Sequence, residues 1–243
     1  MPTRMQGTNA LGIARVVAMS KLNLKAWLSL AIMVAVMAGA LFLLAGTLQY
    51  WQGWAYLGVY SGAAGIITLY LMIKDPALLQ RRMRGGPTAE KQTTQKIVMF
   101  FASAAFIAII VVPALDHRFG WSSVPLYLEI IGNALTALGF FITFLVFRVN
   151  TFTSATVEIA ENQKVITTGP YALVRHPMYF GGLLIFIGTP LALGSYWGLL
   201  AFVAALPALI WRLLDEENFL AKSLPGYVEY KQHVRYRLVP LVW

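Results

Sequence analysis

Two short stretches hold most of the side chains in this sequence that are equipped for chemistry. The first is GPYALVRHPMYFGG, residues 169–182. Gly169-Pro170 forces a turn, and Arg175-His176-Pro177 stands where a long uncharged run begins. Pro177 suits the first helical turn, because the N–H it lacks would have no intrahelical partner there. The motif therefore sits at a helix N-terminus, whose free N–H groups can receive an anionic group such as a carboxylate. The second stretch is WRLLDEENFLAKSLPGYVEYKQHVRYRLVPLVW, residues 211–243. Arg212 and Glu216 are four residues apart and share a helix face, as do Asp215 and Phe219. Asp215, Glu216 and Glu217 leave an apolar helix as consecutive acids. A solvated helix end accounts for them poorly, since acids there oppose the helix macrodipole. Leu224-Pro225-Gly226-Tyr227 reads as a turn. Beyond it aromatic and basic residues alternate (Tyr227, Tyr230, Lys231, Arg235, Tyr236, Arg237), as in a membrane-interface belt or the lip of a site.

Other kinds of chemistry are excluded or disfavoured. The chain has no cysteine, which rules out disulfides, thiolate metal sites and a thiol nucleophile. His117, His176 and His233 lie far apart and lack ligand spacing, so no metal site is expected. His117 and His233 read as structural and His176 as functional, because of its motif and position. The formal charge of +9 is read as lysine and arginine held in loops on one side of a membrane rather than as a nucleic-acid surface.

The elements that must position these residues follow from hydropathy. Of the 243 residues, 58% are hydrophobic and only 12% charged, about half the charge of a soluble domain. No charge interrupts residues 26–73, too long for one span of about 20 residues. Gly46, Gln49, Gln52 and Gly53 mark the break, giving spans near 26–48 and 53–73. A third runs from Ile97 to Leu115, ending at Asp116-His117-Arg118, and a fourth from about Pro125 to Phe147. The uncharged run 178–211 is read as a tight hairpin of two short helices turning near Pro190, Gly194 and Ser195. Six passes place residues 1–25, 74–96, 148–177 and the tail from 212 on one side, with 4, 6, 3 and 5 of the 19 lysines and arginines. Only Arg118 falls on the other side. The positive side is expected to be cytosolic, with both termini and the two motifs there.

The expected architecture is therefore an all-α integral membrane bundle of about six helices. A cytosolic segment 1–25 precedes a four-helix membrane region, 26–147, and a catalytic region, 148–243, built around the hairpin. Arg81, Arg82, Arg84, Gly85, Gly86 and Pro87 read as a basic loop meeting lipid headgroups. Val157, Ile159, Val165 and Ile166 flank Glu161-Asn162-Gln163 in the pattern of a small β-hairpin. Glu129 lies near the outer end of its span and is expected to reach headgroups, with Asn133 one turn on as a hydrogen-bond partner. Arg175 and Arg212 stand at the two cytosolic feet of the helical hairpin. Together with a histidine, acids and tyrosines they can hold a ligand that has both ammonium and carboxylate ends.

GPYALVRHPMY, followed by R-x-x-x-E-E-x-x-L at residues 212–220 and then PGYVEY, resembles the isoprenylcysteine carboxyl methyltransferase family and its prokaryotic relatives, within a wider group that includes phospholipid methyltransferases. The resemblance covers about residues 150–243. It implies S-adenosylmethionine as cofactor, bound beside the membrane between the two motifs. It puts Gly169, Tyr171, Arg175, His176, Pro177 and Tyr179 on one cofactor wall and Glu216 and Glu217 on the other, leaving open which glutamate meets which part of the cofactor. Arg212, with Glu216 and Tyr179, would be the catalytic group, the arginine steadying a substrate carboxylate. A lipophilic substrate would enter from the bilayer; the oligomeric state is left open. Phospholipid or amine N-methylation is the nearest alternative. A sterol- or enone-type membrane reductase using NADPH shares a histidine-proline-x-tyrosine element and a tail like VRYRLVPLVW. A non-catalytic scaffold is the third reading, weakened by the lack of charged pairs at mid-membrane depth.

Overall fold

Backbone polar groups in hydrocarbon must be satisfied within the segment, so long uncharged runs become helices. The computed structural model describes residues 3–83, 93–154, 156, 159 and 162–243. Among them the chain forms α1 (Thr3–Ala45), α2 (Trp51–Lys74), α3 (Pro76–Arg82), α4 (Thr93–Phe119), α5 (Leu126–Val149), α6 (Pro177–Ala192), α7 (Trp197–Ser223) and α8 (Tyr227–His233), with a 3-10 turn at Gly169–Ala172. No strand occurs among the described residues. The expected β-hairpin is absent there: Ile159, Val165 and Ile166 are irregular, while Val157 and Glu161 lie outside the described set. Parts of α1, α2, α4, α5 and α7 are long and apolar enough to cross a membrane. Large apolar side chains such as Ile32, Val36, Leu43, Ile66, Phe100 and Ile107 point outward, the arrangement of a bundle whose surface meets lipid.

The hairpin is less symmetric than expected. Its turn falls at Gly194, whose φ of +72° is the left-handed conformation that suits glycine. Pro190 is inside α6, not in the turn. With 16 residues, α6 spans about 24 Å, short of the hydrocarbon thickness of about 30 Å. α7 does not end at 211 but continues to Ser223. Its acids therefore lie inside a helix rather than at its end, which removes the conflict with the macrodipole.

Two features fix α6. Glycines on α5 and α6 let the backbones touch: a Cβ at Gly132 would lie 2.3 Å from the Ala192 nitrogen, and one at Gly139 would lie 2.4 Å from the Gly181 carbonyl oxygen. Small residues at helix contacts are how membrane helices pack without a hydrophobic driving force. Away from the motifs, at the opposite end of the bundle, the α6–α7 turn is tied by polar groups. Asp116 is 1% exposed and accepts from Ser195 Oγ and from Ser122 N at 2.7 Å. Tyr50 Oη donates to the Leu193 carbonyl at 2.6 Å, and the Tyr50 ring stacks on His117. Glu129 corrects an expectation: it is buried and accepts from Gln52 Nε2 at 3.0 Å. Asn133 bonds the Glu129 backbone carbonyl instead of the carboxylate. Gly194 makes the room, since its Cβ would stand 3.1 Å from Glu129 Oε1.

Candidate functional site

At the motif-bearing end, α3, the α5–α6 connection, the first turn of α6 and the protruding half of α7 enclose a cavity of about 400 Å³. That volume falls within the usual range of about 300–1,000 Å³ for small-molecule sites. Tyr171, Arg175, His176, Pro177, Tyr179, Arg212 and Glu216, all singled out in the sequence, line it. Two expected residues do not. Gly169 shapes the turn with φ at +61° and borders a separate apolar cleft with Leu145, Val149, Leu173 and Phe180. Glu217 is not among the cavity-lining residues.

Glu217 lies behind the wall. One carboxylate oxygen is 3.1 Å from Arg175 Nε and 3.8 Å from His176 Nε2; the other is 3.0 Å from Arg237 Nε and 3.6 Å from Lys231 Nζ. Its side chain is 3% exposed. A buried carboxylate among these bases compensates Arg175 and pins three segments of chain together. The tail completes the joint: Arg175 N donates to the Tyr236 carbonyl and His176 N to the Arg237 carbonyl, both at 2.9 Å. The basic-aromatic tail divides accordingly. Tyr227 and Tyr230 line the cavity, while Tyr236 and Arg237 buttress the arginine-histidine-proline turn.

Inside the cavity Tyr179 Oη donates to Glu216 Oε2 and also bonds Arg212. Tyr171 Oη accepts from Asn150 Nδ2 at 2.8 Å, and burial pushes its phenol up to about 12. Tyr227 Oη is buried with no hydrogen-bond partner among the described residues, a state that costs free energy unless a ligand satisfies it.

Sequence reasoning missed three contributors. Gln95, in the first turns of α4, is fully buried. It accepts from Arg212 Nη1 at 2.7 Å and donates to Asp215. Arg82 does not turn toward headgroups: its Nη1 donates to the Ser154 carbonyl at 2.6 Å, and it lines the cavity. Arg81 likewise bonds the Thr151 carbonyl, whereas Arg84, Gly85, Gly86 and Pro87 lie outside the described residues. Asn150, Thr153 and Ser154 add a polar wall, with Phe152 beside them. The only sequence signal for these was polarity beside spans, which most such residues share without a site. His117 and His233 stay outside the cavity; His233 Nδ1 bonds the Glu229 carbonyl on its own helix. No cluster suited to a metal ion occurs among the described residues.

Residues 128–225, from α5 through α7, match the sequence profile described as phospholipid methyltransferase. Over 146 residues the chain is 29% identical to protein-S-isoprenylcysteine O-methyltransferase B of Arabidopsis thaliana, covering 57% of this chain and 70% of that one. It is 38% identical over 76 residues to the cobalt-zinc-cadmium resistance protein CzcN of Cupriavidus metallidurans, 29% of this chain and 33% of that one. It is also 31% identical over 93 residues to a Delta(14)-sterol reductase of Mus musculus, 36% of this chain and 22% of that one. The chain thus spans only about a third of the CzcN protein and less of the reductase.

Proposed function

We propose that this membrane protein, whose residues 128–225 match the phospholipid methyltransferase profile, is an S-adenosylmethionine-dependent methyltransferase that esterifies the carboxylate of a lipophilic acceptor. The observation that carries the reading is the convergence of Arg175, His176, Tyr179, Arg212 and Glu216 on one cavity at the foot of the α6–α7 hairpin. The cavity fits such a cofactor: it has the volume, aromatic and charged walls, and a buried unpartnered hydroxyl at Tyr227. Tyr171, His176, Pro177, Tyr227 and Glu216 would hold it. Glu216 faces the cavity where Glu217 does not, so Glu216 is the acid available to an ammonium or ribose group.

When bound, the cofactor supplies a methyl already activated on a sulfonium. With Tyr171, His176, Pro177, Tyr227 and Glu216 holding the cofactor, Arg212 would hold the acceptor carboxylate to receive that methyl. No proton is taken from the acceptor, because a carboxyl group is ionised near neutral pH. What the protein must supply is placement and exclusion of water. Arg212 suits this role. Gln95 and Tyr179 restrain its guanidinium, and its fork matches a carboxylate as lysine cannot. The separate apolar cleft beside Pro177 suits a lipophilic chain.

The test is methyl transfer from labelled S-adenosylmethionine to N-acetyl-S-farnesyl-L-cysteine by the purified protein and its Arg212→Lys variant. Lysine retains the charge and serves equally well in place of an arginine that only reaches headgroups. The expected outcome is full cofactor affinity with turnover reduced roughly ten- to hundredfold, the size of a lost charge-assisted hydrogen bond. Undiminished turnover in the variant removes Arg212 from the reacting centre. The resemblance to a Delta(14)-sterol reductase makes NADPH-dependent reduction the competing activity.

A further inference from the structure

The apolar cleft beside Pro177 carries one cation. It has a volume of about 520 Å³ and lies between the last two turns of α5, the Gly169–Ala172 turn and the start of α6, within the size range of small-molecule sites. Leu145, Val149, Leu173 and Phe180 make its walls apolar, and Arg148 is its only charged lining residue. The Arg148 guanidinium lies 6.0 Å from the Phe144 ring centroid, a contact that orients a cation without neutralising it. Among the described residues Arg148 has no hydrogen bond and no ion pair.

Depth decides what fits this cleft. α5 has 24 residues, about 36 Å of helix against about 30 Å of hydrocarbon. Arg148, in its last turn, therefore stands at headgroup level, at the end that carries the motifs. Ile142, also a lining residue, is six residues earlier and so about 9 Å deeper along the helix. The cleft thus runs from a cation at the interface into the hydrocarbon, the shape of an amphiphile with its chain beneath its head. Its mouth is not covered by protein: Leu173 is 66% exposed. The head of the methyl acceptor belongs at Arg212, which lines the cavity and not the cleft, and Pro177 alone lines both. A molecule whose head rests on Arg148 keeps that head outside the cavity.

We propose that the α5–α6 cleft and Arg148 form a binding site for an anionic phospholipid of the surrounding leaflet, distinct from the reaction cavity and independent of the methyltransferase reading. The acyl chain lies against Leu145, Val149 and Phe180, and the phosphate on the guanidinium, whose fork matches two phosphate oxygens. A lipid with a cationic headgroup brings a like charge toward Arg148 and gains less.

The experiment follows lipid binding to the purified full-length protein in detergent, by native mass spectrometry at rising lipid concentration. The probes are dioleoylphosphatidylglycerol, dioleoylphosphatidylcholine and sn-glycerol 3-phosphate, a phosphate without a chain. The first phosphatidylglycerol is expected to bind roughly tenfold or more tighter than phosphatidylcholine, the size of one charge-assisted hydrogen bond, with glycerol phosphate not retained. Arg148→Gln is expected to bring the two lipids within about threefold of each other. Arg148→Lys, which keeps the charge and loses the fork, is expected to fall between, and it carries the test if the glutamine variant does not fold. Arg235 is exposed in the tail and lines neither cavity nor cleft, so Arg235→Gln should leave the preference unchanged. Equal loss of preference in the Arg148 and Arg235 variants means a general attraction of basic surface for anionic lipid and overturns the proposal, as does a wild-type protein that does not distinguish the two lipids. Glycerol phosphate bound as tightly as phosphatidylglycerol overturns it in favour of a free-phosphate site. Displacement of the first phosphatidylglycerol by N-acetyl-S-farnesyl-L-cysteine overturns it by giving the cleft to the acceptor.

Discussion

The guanidinium of Arg212 is held by a residue more than a hundred positions earlier. Gln95 accepts from Arg212 and donates to Asp215, so one buried amide sets both the arginine and the helix face beside it. Substituting Gln95→Leu keeps the volume and removes both bonds. An unpaired buried polar group costs about 1–3 kcal/mol, and here the cost falls on the alignment of Arg212. The expected outcome is a kcat reduced roughly tenfold, with S-adenosylmethionine affinity little changed. Steady-state kinetics beside a cofactor titration measures this. A matched fall in kcat and in cofactor affinity would mean that Gln95 only supports the fold. Glu217 teaches the complementary lesson. The acidic triplet stands out in the sequence, but which acid faces the ligand depends on the phase of α7. That phase turns Glu216 into the cavity and Glu217 into the cluster of Arg175, Lys231 and Arg237.

Among the elements, α6 is the one whose position decides the site, because its first turn carries His176, Pro177 and Tyr179. It is anchored along α5 by backbone contact at Gly132, Gly139, Gly181 and Gly188. Gly139→Ala would force a methyl against the Gly181 carbonyl, and overpacking of this kind typically costs about 1–3 kcal/mol. A methyl added at Gly58 on α2 would meet nothing within 4 Å, so Gly58→Ala should be neutral or stabilising by about 0.5–1 kcal/mol. Thermal unfolding of the two variants in detergent should separate them, and equal melting temperatures would remove the glycine contact as the anchor. The helices themselves were legible, since uncharged runs and Pro177 at the first helical position dictate them. Helix through Arg212, Glu216 and Phe219 was legible from their spacing; that it is one continuous α7 reaching Ser223 was not, because the charges after Trp211 read as an exit from the bilayer and a helix can leave hydrocarbon without ending. Arg82 and Gln95 were illegible for another reason. They reach the cavity from α3 and α4, and no local pattern records a contact between segments so distant in sequence.

At the scale of the molecule, polar groups are divided between two ends. One end gathers the cavity, the ion-pair cluster around Glu217 and the tail. The other is closed by Asp116, Ser122, Ser195 and the Gln52–Glu129 pair. Of the 19 lysines and arginines, only Arg118 belongs by sequence to the loops of that second end. By the positive-inside rule the cavity is expected to face the cytosol. Reporter fusions after residues 50, 85, 120, 160 and 243 are expected to read out, in, out, in, in, and a C-terminus on the outer side would contradict both the orientation and the route of a cytosolic cofactor. The central claim is the identity of that cofactor. Isothermal titration of the purified protein with S-adenosylmethionine and, in parallel, with NADPH tests it most directly. Saturable binding of S-adenosylmethionine that weakens in His176→Ala, with no binding of NADPH, is the predicted result. Tight NADPH binding without S-adenosylmethionine binding would contradict it.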